Sequence, residues 1–203
     1  MTALNPDHSG KLRTLLKYLS GTKFCVLTLR PKIKLHEKMT SLDIETYVDS
    51  DWAGCVQTRK STSGIAIYFL GALITTQSKT QQTLAPSSGE AELYAIGLGT
   101  SESLFVKSLL LETELAQKVN IRVYTDSTAG TSMSTRFGTS KKTRHVQLRF
   151  LYIRELVLQG VLQGKEVLGT SNPADVMTKY VSKETLLKHL GALGVSYPFG
   201  RQA

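Results

Sequence analysis

The stretch from Tyr47 to Gly54 reads YVDSDWAG and joins the end of an apolar run to closely spaced acidic residues. Apolar and polar residues alternate from Ile44 to Val48, which is typical of a half-buried β-strand. This strand delivers Asp49 to its carboxyl end before Gly54 interrupts the pattern. Strand ends are where α/β folds carry their ligands and reacting groups. The stretch therefore predicts a sheet edge with a functional carboxylate.

Downstream of residue 42 the pattern predicts an α/β domain with a five-stranded mixed sheet, three antiparallel strands followed by two parallel ones, and helices on both faces. A short turn at Gly71-Ala72 indicates an antiparallel meander. A right-handed crossover then places the fourth strand beside the first, so that Asp49 and Asp126 end adjacent parallel strands. The predicted strands are Ile44–Val48, Gly64–Leu70, Leu73–Ser78, Val119–Thr125 and Val161–Thr170, and the predicted helices are 87–115, loosened by Gly97 and Gly99, then Ser127–Ser134, Lys142–Gln159, and one from Pro173 to about Leu190.

Residues 1–41 predict an appendage to this domain. Four leucines share one face of a helix over 8–20, a short strand follows at Phe24–Leu29, and a basic linker leads to the domain. One helix and one strand cannot close a core, so we expect a connection from a preceding domain. We expect the main domain to span 42–190 and residues 191–203 to form a flexible tail.

The composition favours a polyanionic partner. The formal net charge is +9, and positive charge of this kind attracts phosphate backbones. No run approaches the roughly 18 apolar residues of a membrane helix, and the first residues lack the features of a signal peptide. We therefore expect an intracellular protein that does not enter a membrane. Cys25 and Cys55 have no Cys or His partner at metal-ligand spacing, which indicates neither a zinc site nor a disulfide framework.

Four acidic residues stand in comparable positions, and three of them also have an ordinary structural explanation. Asp126 follows a strand and precedes a helix, where an N-cap is common. Asp175 lies one turn into the last predicted helix, where the helix dipole favours an acid. Glu92 in SSGEAELYA is either on a solvated face or near the buried side, where Leu93 flanks it.

Two of these choices have close competitors. Asp49 and Asp51 are two residues apart and share a face if the strand continues, and Asp49 is preferred because it follows the apolar run directly. Glu90 and Glu92 lie about 200° apart on a helix, so only one of them faces the sheet.

The four acids are predicted to converge at one end of the sheet. Clustered carboxylates repel one another unless a cation bridges them, and Mg²⁺ takes oxygen ligands together with substrate phosphates. Two such ions about 4 Å apart activate water and stabilise a leaving oxygen. The implied chemistry is phosphodiester hydrolysis.

At these residues the chain resembles the ribonuclease H domain of copia-type (Pseudoviridae) retrotransposon polyproteins, over roughly residues 8–190. The matching blocks occur in the family's order and are more specific together than any one of them. They are Tyr47–Gly54, Arg59–Gly64 (RKSTSG), Gln77–Gln82 (QSKTQQ), Ser87–Ala95, Tyr124–Ala129 (YTDSTA), Lys142–Glu155 and Asn172–Lys179 (NPADVMTK).

The resemblance implies that Asp49, Glu92, Asp126 and Asp175 are the catalytic, metal-binding carboxylates. It implies two Mg²⁺ ions, which Mn²⁺ can replace, and hydrolysis of the RNA strand of an RNA/DNA hybrid that leaves a 3′-hydroxyl. It also implies a reverse transcriptase domain of the same polyprotein as partner and a location in cytoplasmic retrotransposon particles. One departure is that residues 169–171 hold no histidine where many cellular ribonucleases H carry a mobile one, and we expect modest activity.

The hybrid-binding residues are predicted from charge and position. Trp52 is expected to pack in the core or in a turn, and His145 to be solvated or to contact the hybrid. The basic helix 141–154 is either a backbone-tracking surface or simply a solvated face. The predicted nucleic-acid contacts are Arg59, Ser87, Ser88, Lys141, Lys142, Arg144 and Arg149.

Two other functions compete with the enzyme. One is a catalytically weak nucleic-acid-binding module that packs against a reverse transcriptase, because copies of retroelements decay. The other is a transposase or integrase core, which shares an acidic metal site. The intact set of four acids favours the enzyme over the first. The meander, the helix that carries Glu92 and the position of Asp175 argue against the second.

Overall fold

The computed structural model describes residues 6–32, 39–127 and 144–196. Two short 3-10 helices, here called the first and second 3-10 turns, follow the last strand of the main sheet. The elements in chain order are α1 (Pro6–Thr22), β1 (Val26–Leu27), β2 (Met39–Asp51), β3 (Thr62–Phe69), β4 (Ala72–Thr80), α2 (Ser88–Glu112), β5 (Ala116–Thr125), α3 (Arg144–Leu158), β6 (Leu162–Glu166), the first 3-10 turn (Gly169–Ser171), the second (Pro173–Met177), α4 (Lys183–Ala192) and β7 (Val195–Ser196).

The main sheet has five strands in the order β4-β3-β2-β5-β6. β2 pairs antiparallel with β3, and β3 with β4, whereas β5 is parallel to both β2 and β6. Strands β2 and β5 are neighbours because the connection through α2 crosses over the sheet. The predicted fold class and the predicted adjacency of the two central parallel strands are confirmed.

The hairpin between β3 and β4 turns one residue earlier than predicted. Phe69 pairs with Ala72, which leaves Leu70 and Gly71 as the two turn residues. Both have positive φ, 52° and 78° respectively, and such two-residue turns match the right-handed twist of the strands they join. Leu70 is thus a turn residue rather than the end of the strand. Its apolar side chain made it resemble a strand residue in the sequence.

Helix α2 is continuous and not loosened at its glycines. Ser87 caps it, its side chain accepting a hydrogen bond from Glu90 N at 3.2 Å. At Gly99 an added Cβ would lie 2.6 Å from Val48 Cγ1 and 3.1 Å from Thr46 Cγ2. Glycine at this position therefore permits close packing of α2 on β2, and it does not mark a break in the helix.

The last predicted helix is two separate elements. Asn172 caps the second 3-10 turn by accepting from Ala174 N at 3.1 Å, and α4 begins only at Lys183, with Ser182 as its cap. β6 likewise ends at Glu166, short of the predicted Thr170. The buried Asn172 amide donates to Val48 O at 2.9 Å, and this contact turns the chain before a regular helix can form. The predicted helix over Ser127–Ser134 falls almost entirely outside the described residues.

The core has one cluster on each face of the sheet. On the α2 side, fully buried residues include Ile44, Ile96 and Ile121. On the opposite face Tyr68 packs with Leu193, and the second 3-10 turn covers them. Both faces therefore carry helical elements, as predicted.

The segments at either end of the described chain meet. β1 and β7 form a two-stranded antiparallel sheet. Regular structure therefore extends to Ser196, within the expected tail, while 197–203 lie outside the described residues. Along α1, Leu12, Leu15, Leu16 and Leu19 are each 50–56% exposed. Among the described residues, none of the helices combines the length and the apolar character of a membrane span.

Candidate metal centre

The parallel pairing of β2 with β5 sets two acids side by side. Tyr47 is the register partner of Tyr124, and their rings stack at 4.7 Å between centroids. Asp49 and Asp126 each follow two residues later and therefore reach the same sheet edge. The first 3-10 turn lies against Asp126, where a Cβ added at Gly169 would be 3.0 Å from Asp126 Oδ2.

A third acid reaches this edge from the first turns of α2. Glu92 Oε1 accepts a hydrogen bond from the Ser50 hydroxyl at 2.7 Å. One carboxylate oxygen from each of Asp49, Glu92 and Asp126 lies within 4.8 Å of the others. These three residues, here called the carboxylate triad, come from three separate elements. The structure thus brings together three of the four acids proposed from the sequence.

Burial changes the ionisation of the triad. Asp49 is 1% exposed, and burial raises its pKa, although Thr178 and Lys179 oppose the rise. Burial, with repulsion from Asp49 and Asp126, raises the pKa of Glu92 to about 7. Asp126 is the most exposed of the three. The site therefore disfavours three full negative charges unless a cation is present.

The fourth acid is joined to the triad through a lysine. Lys179 Nζ lies 3.0 Å from Asp175 Oδ1 and 3.2 Å from Asp49 Oδ1. The Thr178 hydroxyl donates to the second oxygen, Asp49 Oδ2. Burial lowers the pKa of Lys179, but the two carboxylates outweigh this and raise it. Asp175 thus adjoins the triad without being part of it.

The triad fits a hard divalent cation. Its donors are all carboxylate oxygens, the ligands that Mg²⁺ takes. Within the described part of the chain, Glu92 Oε2 is buried and has no hydrogen-bond partner. A buried carboxylate oxygen without a donor is costly, and a metal ion would satisfy it. Asp49, Glu92 and Asp126 are therefore the residues that could hold such an ion.

The two competing acids have local structural partners. Asp51 Oδ1 accepts a hydrogen bond from Thr62 N across the β2–β3 connection. Glu90 Oε1 accepts from the Tyr94 hydroxyl at 3.0 Å, within α2. Neither belongs to the triad. The sequence analysis preferred Asp49 and Glu92, but the partners that engage Asp51 and Glu90 are visible only in the structure.

Of the residues predicted to contact nucleic acid, some are exposed in the structure and others lie outside the described residues. Ser87 and Ser88 are exposed at the start of α2, and Arg59 is exposed in the turn between β2 and β3, with φ of 55°. The remaining four were chosen for charge. Lys141 and Lys142 are outside the described residues, and Arg144 and Arg149 fall within the bounds of α3.

Two residues near the site, Thr178 and Lys179, were missed from the sequence, and a third, Trp52, lies in a turn, one of its two predicted locations. Trp52 is 53% exposed, and its Nε1 donates to Ala85 O at 3.0 Å, so the indole is held in place but is not in the core. Lys179 and Thr178 contact Asp49 directly. The signal for Lys179 was its spacing four residues after Asp175, which places the two side chains together on a helical turn.

No protein-family model matches the chain. It is 32% identical over 177 residues to the retrovirus-related Pol polyprotein from transposon TNT 1-94 of Nicotiana tabacum, a match that covers 87% of this chain and 13% of the relative. It is 29% identical over 189 residues to the corresponding polyprotein from transposon RE2 of Arabidopsis thaliana, covering 93% of this chain and 12% of the relative. The chain thus spans only a small part of the length of these relatives.

The fold is similar to that of a solved ribonuclease H domain. The N-terminal ribonuclease H domain of a Mycobacterium tuberculosis protein, solved as a fusion with maltose-binding protein, matches with a TM-score of 0.50 and 12% identity, covering 74% of this chain and 98% of that one. An identity this low shows the fold alone. The chain is therefore homologous to a segment of the retrovirus-related Pol polyproteins of plant transposons, and it has a ribonuclease H-like fold.

Proposed function

We propose that the chain is a metal-dependent ribonuclease H that hydrolyses the RNA strand of RNA/DNA hybrids. The observation that carries the proposal is the carboxylate triad at the end of β2 and β5, with the buried Glu92 Oε2 lacking a hydrogen-bond partner among the described residues. The ribonuclease H-like fold and the kinship with Pol polyproteins support the same activity.

The roles of the residues follow from their positions. Asp49, Glu92 and Asp126 would hold divalent ions. We propose two ions, as the family resemblance implies, with Mg²⁺ as the natural ion and Mn²⁺ as a substitute. A bound ion would lower the pKa of a water molecule and stabilise charge on the leaving oxygen. Ser50 orients Glu92, and the Thr178 hydroxyl orients Asp49. Water adds to phosphorus, the bond to the 3′-oxygen breaks, and the products carry a 5′-phosphate and a 3′-hydroxyl.

The hybrid would lie across the edge that holds the triad. Ser87 and Ser88 are exposed there, close in sequence to Ala85, which accepts the Trp52 indole hydrogen bond. Recognition of RNA over DNA requires contacts to 2′-hydroxyls, and serine hydroxyls at a helix start are suitable donors and acceptors. We assign these serines, with Trp52 and Arg59, to the hybrid-binding surface.

The biological role proposed is removal of RNA from hybrids made during retrotransposon reverse transcription, within cytoplasmic particles. The partner proposed is a reverse transcriptase part of the same polyprotein. The leucine stripe of α1, half exposed along its length, supports this because a polymerase part packed against it would bury the leucines. The domain division at residues 1–41, 42–190 and 191–203 stays a prediction.

The test is cleavage of a labelled RNA/DNA hybrid by the purified chain with Mg²⁺. Asp126→Asn should abolish cleavage, because it removes one ligand charge of the triad. Glu90→Gln is the matched control, since Glu90 lies outside the triad and the amide oxygen of glutamine can still accept the Tyr94 hydrogen bond within α2. Single-stranded RNA and duplex DNA should not be cut. If the hybrid is bound in a salt-dependent way but not cut by the wild-type chain, the stand-alone enzyme is ruled out, and a binding module or a fragment that requires its polymerase partner remains.

A further inference from the structure

The place between Asp49 and Asp175 is filled by a side chain of the protein. Lys179 Nζ contacts one oxygen of each, at 3.2 and 3.0 Å. These distances are ordinary for an ammonium shared by two carboxylates. Asp49 is the residue common to this pair and to the carboxylate triad. The lysine therefore separates the fourth acid from the other three.

Both oxygens of Asp49 are engaged on the side of the second 3-10 turn. Lys179 holds Oδ1 and the Thr178 hydroxyl holds Oδ2. The two donors are consecutive in sequence, and Thr178 Oγ1 also reaches Asp175 O at 3.1 Å, which fixes their geometry. Any ion that binds between Asp49 and Asp175 has to displace the ammonium, because Lys179 Nζ already lies in that place and two positive charges a few ångströms apart repel each other.

The remainder of the site is open to an ion. Glu92 Oε2 has no hydrogen-bond partner within the described chain. Among the described residues, the ion pairs of Lys179 are with Asp49 and Asp175, and not with Glu92 or Asp126. A first ion held by the triad leaves the ammonium in place. A second ion beside Asp175 displaces it. The four acids thus form two cation sites. The triad site is open to an ion, whereas the site between Asp49 and Asp175 is occupied by the Lys179 ammonium.

We propose that Lys179 is an internal cation that occupies the second metal position and competes with the second divalent ion. The protein then binds one ion readily at the triad and a second only when Lys179 withdraws from Asp49 and Asp175. This inference rests on the proposed metal site. Lys179 is a positioning residue here, since it acts on the ions through the carboxylates and needs no contact with the reacting atoms.

The test counts Mn²⁺ ions bound to the full chain without nucleic acid, from the electron paramagnetic resonance signal of free Mn²⁺ during a titration. The wild-type chain should bind one ion, with the second at least about tenfold weaker because of the competing charge. Lys179→Met should tighten the second ion by about tenfold. Lys179→Arg, which keeps the charge, should resemble the wild type.

Lys183→Met is the matched control, because it removes the same charge at the start of α4, outside the site. It should leave both affinities unchanged. Lys179→Gln serves as a second neutral variant if the methionine change impairs folding, which circular dichroism would reveal. Equal second-ion affinity in the wild type and in both neutral variants would overturn the proposal, as would the absence of bound Mn²⁺ in every variant.

A combined variant identifies the second site. Lys179→Met with Asp175→Asn should lose the gain in second-ion affinity, since the ion would lack its fourth carboxylate. The binding assay is independent of the hybrid cleavage assay. A chain that binds Mn²⁺ as described but cuts no hybrid would refute the proposed enzyme and leave this inference intact, whereas cleavage with an unchanged ion count in Lys179→Met would do the reverse.

Discussion

Glu92 combines two unfavourable features, burial and proximity to other carboxylates. Its Oε1 is stabilised by the Ser50 hydroxyl, whereas its buried Oε2 has no donor in the described part of the structure. Its pKa of about 7 in the folded protein exceeds the ordinary 4.5 expected in the unfolded chain. The folded state therefore binds more protons between these values. This group contributes stability below about pH 4.5 that is lost as the pH rises through about 7.

This predicts that the metal-free protein loses stability as the pH rises from about 4.5 to about 7, so that it is less stable at about pH 8 than at about pH 5. Its melting temperature should fall by a few degrees, and saturating Mg²⁺ at pH 8 should restore it, because the ion replaces the proton. Glu92→Gln should flatten the pH dependence and abolish the Mg²⁺ effect. Differential scanning calorimetry at both pH values measures these melting temperatures. A melting temperature that rises with pH in the metal-free wild type would contradict the prediction.

Trp52 is exposed yet held by a hydrogen bond, a combination suited to stacking against a sugar or base. Stacking on an aromatic side chain contributes roughly 1–3 kcal/mol. Trp52→Ala, made in the Asp126→Asn background, should weaken hybrid binding about tenfold, and Trp52→Phe should keep most of the affinity. Fluorescence anisotropy with a labelled hybrid measures both. Val56→Ala, at an exposed apolar residue of the same turn, is the control. Equal affinity in the alanine variant would remove Trp52 from the binding surface.

At the scale of elements, α2 is placed by its contact with β2. The helix carries Glu92, and Gly99 lies seven residues further along the same helix, where it packs against Val48 and Thr46. The Thr46 and Ser103 hydroxyls form a buried hydrogen bond of 2.5 Å in the same interface. Close approach of the two backbones thus brings the start of α2 to the sheet edge that bears Asp49.

Gly99→Ala is therefore expected to destabilise the protein by about 1–3 kcal/mol, since the added methyl overpacks the interface. Gly97→Ala is the matched control: an added Cβ there meets nothing within 4 Å, and the higher helix propensity of alanine should stabilise by roughly 0.5–1 kcal/mol. Urea denaturation followed by circular dichroism gives both free energies of unfolding. If the two variants change stability in the same direction, the packing explanation for Gly99 fails.

The second 3-10 turn is held to the sheet by one buried side chain. The Asn172 amide donates to Val48 O at 2.9 Å, next to Asp49, and its carbonyl accepts from Ala174 N. Gly64 on β3 allows the same turn to approach, because a Cβ there would lie 2.8 Å from Ala174 O. These contacts bring Asp175 and Lys179 to the triad.

For the whole molecule, the net charge of +9 predicts binding that depends on salt. Each phosphate contact contributes a slope of about 0.9 to the plot of log affinity against log salt concentration. Hybrid affinity should therefore fall at least tenfold between about 50 and 200 mM salt. Lys141→Ala with Lys142→Ala should lower the slope by about two, whereas Lys17→Ala with Lys183→Ala should leave it unchanged. Anisotropy across the salt series decides between a basic binding surface and a solvated one.

Much of the fold was predictable because its signals are local. Alternation of apolar residues located the central strands, and the constant handedness of crossovers placed β5 beside β2. Boundaries failed where side chains were ambiguous. Leu70 looked like strand but turns the hairpin, and Gly97 and Gly99 were expected to loosen a helix that is continuous. In both cases backbone pairing and packing overrode residue propensity.

The candidate site was predictable only in part. The sequence by itself determined that acids follow two adjacent parallel strands and that another lies near the start of a helix over the sheet. The tertiary structure alone decided which carboxylates form the triad, because Asp51 and Glu90 are held by Thr62 and Tyr94 instead. It also decided that Lys179 lies between Asp175, four residues away, and Asp49, 130 residues away. The first contact follows from helical spacing, whereas the second exists only because buried hydrogen bonds and close packing hold the second 3-10 turn against β2.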